Sequence, residues 1–114
     1  MQKDDTIRLR HMLDAAREAL EFTRGQSRTD LNTDRKLVLA IVKGIEIIGE
    51  AACQVSPTTR DRLPGIPWND IMGMRNRLVH AYFDINLDML WKTVQEDLPP
   101  LITELDHAVK SITF

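Results

Sequence analysis

The sequence predicts an all-α fold, a four- to five-helix up-and-down bundle formed by one domain over residues 1–114. Three observations carry this. Apolar residues recur at three- and four-residue spacing through several long segments. The period-two alternation of strands is absent. Breaks fall where glycine, proline and short polar residues cluster, at Gly25, across residues 56–66 and at Pro99-Pro100.

The first segment covers about residues 4–24. Leu9, Leu13, Ala16 and Leu20 form its stripe, with Met12 and Ala19 widening it, and Gly25 stops it. Asp30 or Asn32 is placed to cap the next helix. That second segment, about 31–55, carries two adjacent stripes. Leu37, Ile41, Ile45, Ile48, Ala52 and Val55 make one; Val38, Val42, Gly49 and Cys53 make the other. A helix apolar over so much of its circumference belongs in a bundle centre or at a subunit interface, so a homodimer is expected. Gly44 and Gly49 would let another helix approach closely. Residues 56–66 are expected to be loop, with Pro67 opening a third helix that runs from Trp68 through Tyr82. Asn86 is the expected cap of a fourth helix carrying Leu87, Leu90, Trp91, Val94 and Leu98. Pro99-Pro100 is expected to end or kink it before a fifth, carrying Leu101, Leu105, Ala108 and Ile112.

Bulk properties exclude several function classes. The net charge is −2, so the overall field does not favour phosphate, and any RNA contact must come from a local arginine cluster. The same balance, without a basic recognition helix, argues against a helix-turn-helix DNA reader. The one cysteine, Cys53, lies in an apolar stretch and reads as a buried, inert thiol. Neither a disulfide nor a zinc-type cysteine cluster is available, and no metal or cofactor is expected. The N-terminus is polar and acidic, unlike a signal peptide, and no apolar run is long enough to span a membrane. The expected location is the cytoplasm.

The segment Arg75-Asn76-Arg77-Leu78-Val79-His80-Ala81-Tyr82 concentrates the chemistry. At about 100° per residue, Trp68, Ile71, Met72, Leu78, Val79 and Tyr82 share one face, with Arg75 in its middle. A guanidinium there must meet a carboxylate, a phosphate or a cleft, because burying it unpaired is very costly. Asn69, Gly73, Asn76 and His80 form a small polar strip beside that face. On a straight helix Arg75 and His80 diverge by about 140°, so both reach one phosphate only if Arg75 bends across, the helix distorts near its end, or two subunits contribute, the last being favoured. Cleavage of RNA by its own 2′-hydroxyl needs a proton acceptor and positive charge for the phosphorane-like transition state. Histidine suits the first task and arginine the second, with no metal required. On residue types alone a satisfied structural Arg/His pair is favoured over a catalytic one. Glu50 or Glu46, four apart on the second helix, would pair Arg75 or orient His80, or serve only as structural carboxylates. Asp84 reads as a cap, with tuning of His80 as the alternative, and His11 and His107 read as surface residues. Trp68 and Trp91 read as packing residues. Arg60 and Arg62 are solvated loop residues by default, with phosphate contact as the alternative.

Arg75-Asn76-Arg77-Leu78-Val79-His80 resembles the R-x4-H signature of HEPN domains, and its extension to Tyr82 resembles the R-x4-H-x-Y form of HepT-like toxins. Ile48-Gly49-Glu50-Ala51-Ala52, Ile66-Pro67-Trp68, the stretch from Ile85 to Trp91 and Leu98-Pro99 match as well, over about residues 37–101. The resemblance implies a helical homodimer whose two Arg/His segments face a shared cleft. It implies a metal-independent endoribonuclease toxin in which Arg75 and His80 are catalytic and Asn76 supports them. It also implies a cognate antitoxin, a minimal nucleotidyltransferase able to adenylylate Tyr82, where the added anion would block the cleft and occupy Arg75. The competing expectation is a non-catalytic helical module that binds a nucleotidyltransferase or a nucleotide and uses Arg75 only as an anchor.

Overall fold

The computed structural model describes residues 3–81 and 84–111; the side chains of His80 and Ala81 lie outside that description. The fold is an all-α bundle, 44 × 27 × 19 Å. Helix α1 spans Lys3–Phe22 and α2 spans Arg35–Gln54. A short helix α3, Pro57–Arg62, precedes α4, Trp68–Leu78. The last helical stretch comprises α5, Leu87–Lys92, a wide π-type turn over Thr93–Asp97, and α6, Leu98–Ser111. Helices α1 and α2 form the central pair, α6 packs on α1, and α4 packs on α2.

The stripes read from the sequence form the core. Leu9, Met12, Leu13, Ile41, Ile45, Ile48, Leu90, Leu98 and Leu105 are all but sealed from solvent. Each such large side chain contributes about 1.5–3 kcal/mol by burial. Both glycines of α2 do what their positions suggested. A Cβ on Gly44 would stand 3.3 Å from Ala19 Cβ of α1, and one on Gly49 would stand 3.4 Å from the Ile71 carbonyl of α4. Gly25, at φ +74°, takes the left-handed conformation that ends the first hairpin arm at no steric cost.

Four expectations are corrected. The cap of α2 is Asp34, whose carboxylate accepts from the Leu37 N–H at 3.0 Å. The other candidates are engaged elsewhere: Asp30 accepts from the Ser27 N–H at 2.7 Å, and Asn32 accepts from Arg28 at 3.0 Å. The expected loop at 56–66 contains α3. Ser56 caps it, and Pro57 lies in its first turn, where the missing N–H costs nothing. The double proline does not end the final helix. The Leu98 N–H reaches five residues back to the Thr93 carbonyl, and this wider turn precedes the two prolines, so the carbonyls they would crowd are already displaced.

The fourth correction bears on the site. Helix α4 does not continue to Tyr82. It stops at Leu78, and Val79–Ala81 (β1) pairs antiparallel with Asp84–Ile85 (β2). β-Branched Val79 and Ile85 stand opposite each other, and the Asn86 N–H extends the ladder to the Leu78 carbonyl at 2.9 Å. Asn86 then caps α5 as expected, accepting from the Met89 N–H at 3.0 Å.

Candidate functional site

The site is a groove of about 380 Å³ between α2 and α4, lined by Glu46, Gly49, Glu50, Cys53, Met72, Arg75 and Asn76. Its width follows from Gly49, which lets the two helices close to backbone contact on the groove floor. From α4, Ile71, Met74 and Leu78 point into the core. The centre of that buried face lies about 70° from Arg75. Arg75 is therefore at the border of the apolar face rather than in its middle, and its side chain is 45% exposed. Met74, absent from the apolar face read off the sequence, takes the place assigned there to Arg75.

At this border Arg75 meets α2. Its Nε donates to Glu46 Oε1 at 3.2 Å, and Lys43 Nζ approaches Glu46 Oε2 at 3.8 Å. Glu46, not Glu50, is the carboxylate that pairs Arg75. Glu50 is exposed on the groove wall and, among the described residues, has no hydrogen bond or ion pair. Asn76 is exposed and lines the groove beside Arg75. The Arg77 guanidinium folds back beside Gly73, where an added Cβ would stand 3.5 Å from its Nη1, and donates to the Asp70 carbonyl at 2.9 Å.

The structure thus brings Arg75, Asn76 and Glu50 together on one groove. His80 lies on β1, two residues past the end of α4, so the 140° helical divergence from Arg75 does not apply; its side chain is outside the description. Tyr82 lies outside the described residues. Cys53 is not buried. It sits about 120° from Ile41, near the centre of the buried arc of α2, just past Gly49, and is exposed on the groove wall. Asp84 is exposed on β2, and the residue that caps α5 is Asn86. His11 and His107 are exposed. Trp91 and Trp68 pack against the core, and Trp68 Nε1 donates to the Leu63 carbonyl at 3.1 Å. The sequence reading overlooked Cys53 as a groove residue; its place at the edge of the second stripe was the available signal.

No helix among the described residues is long and apolar enough to cross a membrane. Comparison with known proteins points one way. The family model for HepT-like ribonucleases matches residues 12–108. A protein of Methanocaldococcus jannaschii named as an RNase is 32% identical over 105 residues, covering 92% of this chain and 96% of that protein. A protein of Thermococcus cleftensis named as a ribonuclease HepT is 42% identical over 81 residues, covering 71% and 74%. One of Caldanaerobacter subterraneus, also named as an RNase, is 36% identical over 104 residues, covering 91% and 89%. No solved structure matches the chain. With the family model spanning most of a bundle whose α2–α4 groove presents Arg75 and Asn76, the chain belongs to the HepT-like ribonuclease family.

Proposed function

We propose that this protein is a metal-independent endoribonuclease, the toxin of a toxin–antitoxin pair, acting as a homodimer. The observation that carries the proposal is Arg75, exposed at the groove and, among the described residues, gripped only through Nε, in a chain of a ribonuclease family. Its two outer nitrogens form a charged fork suited to a phosphate. In the proposed reaction the RNA 2′-oxygen attacks the adjacent phosphorus as His80 takes its proton. Arg75 stabilises the charge of the phosphorane-like transition state. The P–O5′ bond breaks, and the 5′-oxygen is protonated by the imidazolium of a second His80 across the dimer, leaving a 2′,3′-cyclic phosphate. Asn76 steadies the phosphate, and Glu50 orients the reacting groups. The partner is a minimal nucleotidyltransferase antitoxin that adenylylates Tyr82, adding a bulky anion to the signature segment.

The test is cleavage of a labelled RNA in EDTA. Cyclic-phosphate ends, with cleavage lost in Arg75→Ala and His80→Ala, are the expected outcome. Equal cleavage by His80→Ala and the parent would leave the non-catalytic reading, in which Arg75 only anchors a partner. Co-expression with the neighbouring gene's product should add AMP to Tyr82, read by mass spectrometry.

A further inference from the structure

Arg60 carries a feature that the fold does not require. On α3 its Nε is buried and has no hydrogen-bond partner among the described residues. Its Nη1 rests 3.6 Å from the sulfur of Met72, a weak acceptor. Met72 lines the same groove as Arg75 and Asn76. A charged group with an unsatisfied buried donor costs stability, and among the described residues no carboxylate pairs with the guanidinium. Ser56 and Thr59, its neighbours on α3, are committed to Asp5.

Charge along the groove gives this arrangement a use. Arg75 and Lys43 are balanced by Glu46 and Glu50, so the four together carry no net charge. The whole chain is acidic. A polyanion is held here only if a further cation adds a local excess. Arg60, one methionine side chain behind the groove wall, is that cation. Met72 is unbranched and flexible, so it can move aside and let the guanidinium meet a ligand.

We infer that Arg60 is a second phosphate-binding residue of the α2–α4 groove, taking an RNA phosphate next to the one held by Arg75. This rests on the ribonuclease reading of the groove. Arg60 is a binding residue with no part in the chemical step.

The test uses a fluorescent 2′-O-methyl oligoribonucleotide, which lacks the attacking hydroxyl and so reports binding alone. Arg60→Met keeps the aliphatic packing and removes the charge; Arg60→Lys keeps the charge. Arg60→Met is expected to bind roughly tenfold more weakly, and its log–log salt slope to be shallower by about 0.7. Its melting temperature should equal or exceed the parent's, because an unsatisfied buried donor has been removed. Arg60→Lys should keep the parent's slope. Parent-like affinity and slope in Arg60→Met overturn the inference while leaving the groove's RNA binding intact. A lower melting temperature with an unchanged slope also overturns it, making Arg60 structural. A parent that does not bind the oligonucleotide overturns the ribonuclease reading itself, and this inference with it.

Discussion

Glu46 holds Arg75 by the inner nitrogen: the carboxylate accepts from Nε at 3.2 Å across the α2–α4 groove, and among the described residues the two outer nitrogens have no acceptor. A guanidinium fixed at its base and open at its fork is already oriented for a bidentate partner. As an exposed ion pair it contributes at most about 1 kcal/mol to stability.

Glu46 is therefore expected to matter more to rate than to folding. Glu46→Ala should lower kcat roughly tenfold with a smaller change in KM, since it frees Arg75 from its productive orientation. Glu46→Gln keeps an acceptor for Nε and should retain most of that rate. Urea midpoints of both variants should stay close to the parent's. Steady-state kinetics on one RNA check this, and a Gln variant as slow as the Ala variant would show that the charge, not the orientation, is what counts.

Cys53 offers a direct report on where RNA lies. It is the chain's one cysteine and lines the groove, exposed, with Glu50 and Asn76. Saturating uncleavable RNA is expected to slow its alkylation by iodoacetamide at least several-fold, and a bulky maleimide on it should block RNA binding. Mass-spectrometric labelling rates measure this; identical rates with and without RNA would place the RNA elsewhere.

Asp5 ties the start of α1 to the start of α3. Its carboxylate is buried and accepts from the Ser56 N–H at 2.9 Å, Ser56 Oγ at 2.6 Å and Thr59 Oγ1 at 2.5 Å. Burial alone would raise its pKa, but the Ser56 and Thr59 hydrogen bonds outweigh it and hold the carboxyl below its ordinary value. A depressed folded-state pKa gives stability that is fully present above the ordinary carboxylate range and is lost as pH falls through the folded value. Asp5→Ala should cost about 2 kcal/mol at neutral pH, and the gap to the parent should narrow in strong acid. Urea unfolding at several pH values checks both.

Much of the fold was legible because periodicity reports burial directly. Leu9, Ile41, Ile48 and Leu105 were identifiable from spacing, and Gly44 and Gly49 from the lack of a side chain on a packed face. Competition between near-equal local signals was not legible. Asp30, Asn32 and Asp34 are all good caps, and only the engagement of the first two by Ser27 and Arg28 leaves the third for α2. The end of α4 depends on Val79 finding Ile85, a contact that helical periodicity does not report. In the site, Arg75, Asn76 and the second-helix carboxylates were identified as types. Their arrangement was not, because Met74 outcompetes Arg75 for the interior and rotates the helix by about 70°. The same limit misplaced Cys53, whose stripe turns out to be the seam where core gives way to groove.

The halt of α4 at Leu78 changes what the spacing between Arg75 and His80 means. One residue belongs to a rod and the other to a ribbon, so their relative placement is set at a junction and not by helical pitch. The setting is the match of Val79 to Ile85. A slip of one residue there would turn every side chain of the ribbon to its opposite face while leaving Arg75 where it is. Val79 and Ile85, two branched apolar residues, thereby fix the register of the strand on which His80 stands.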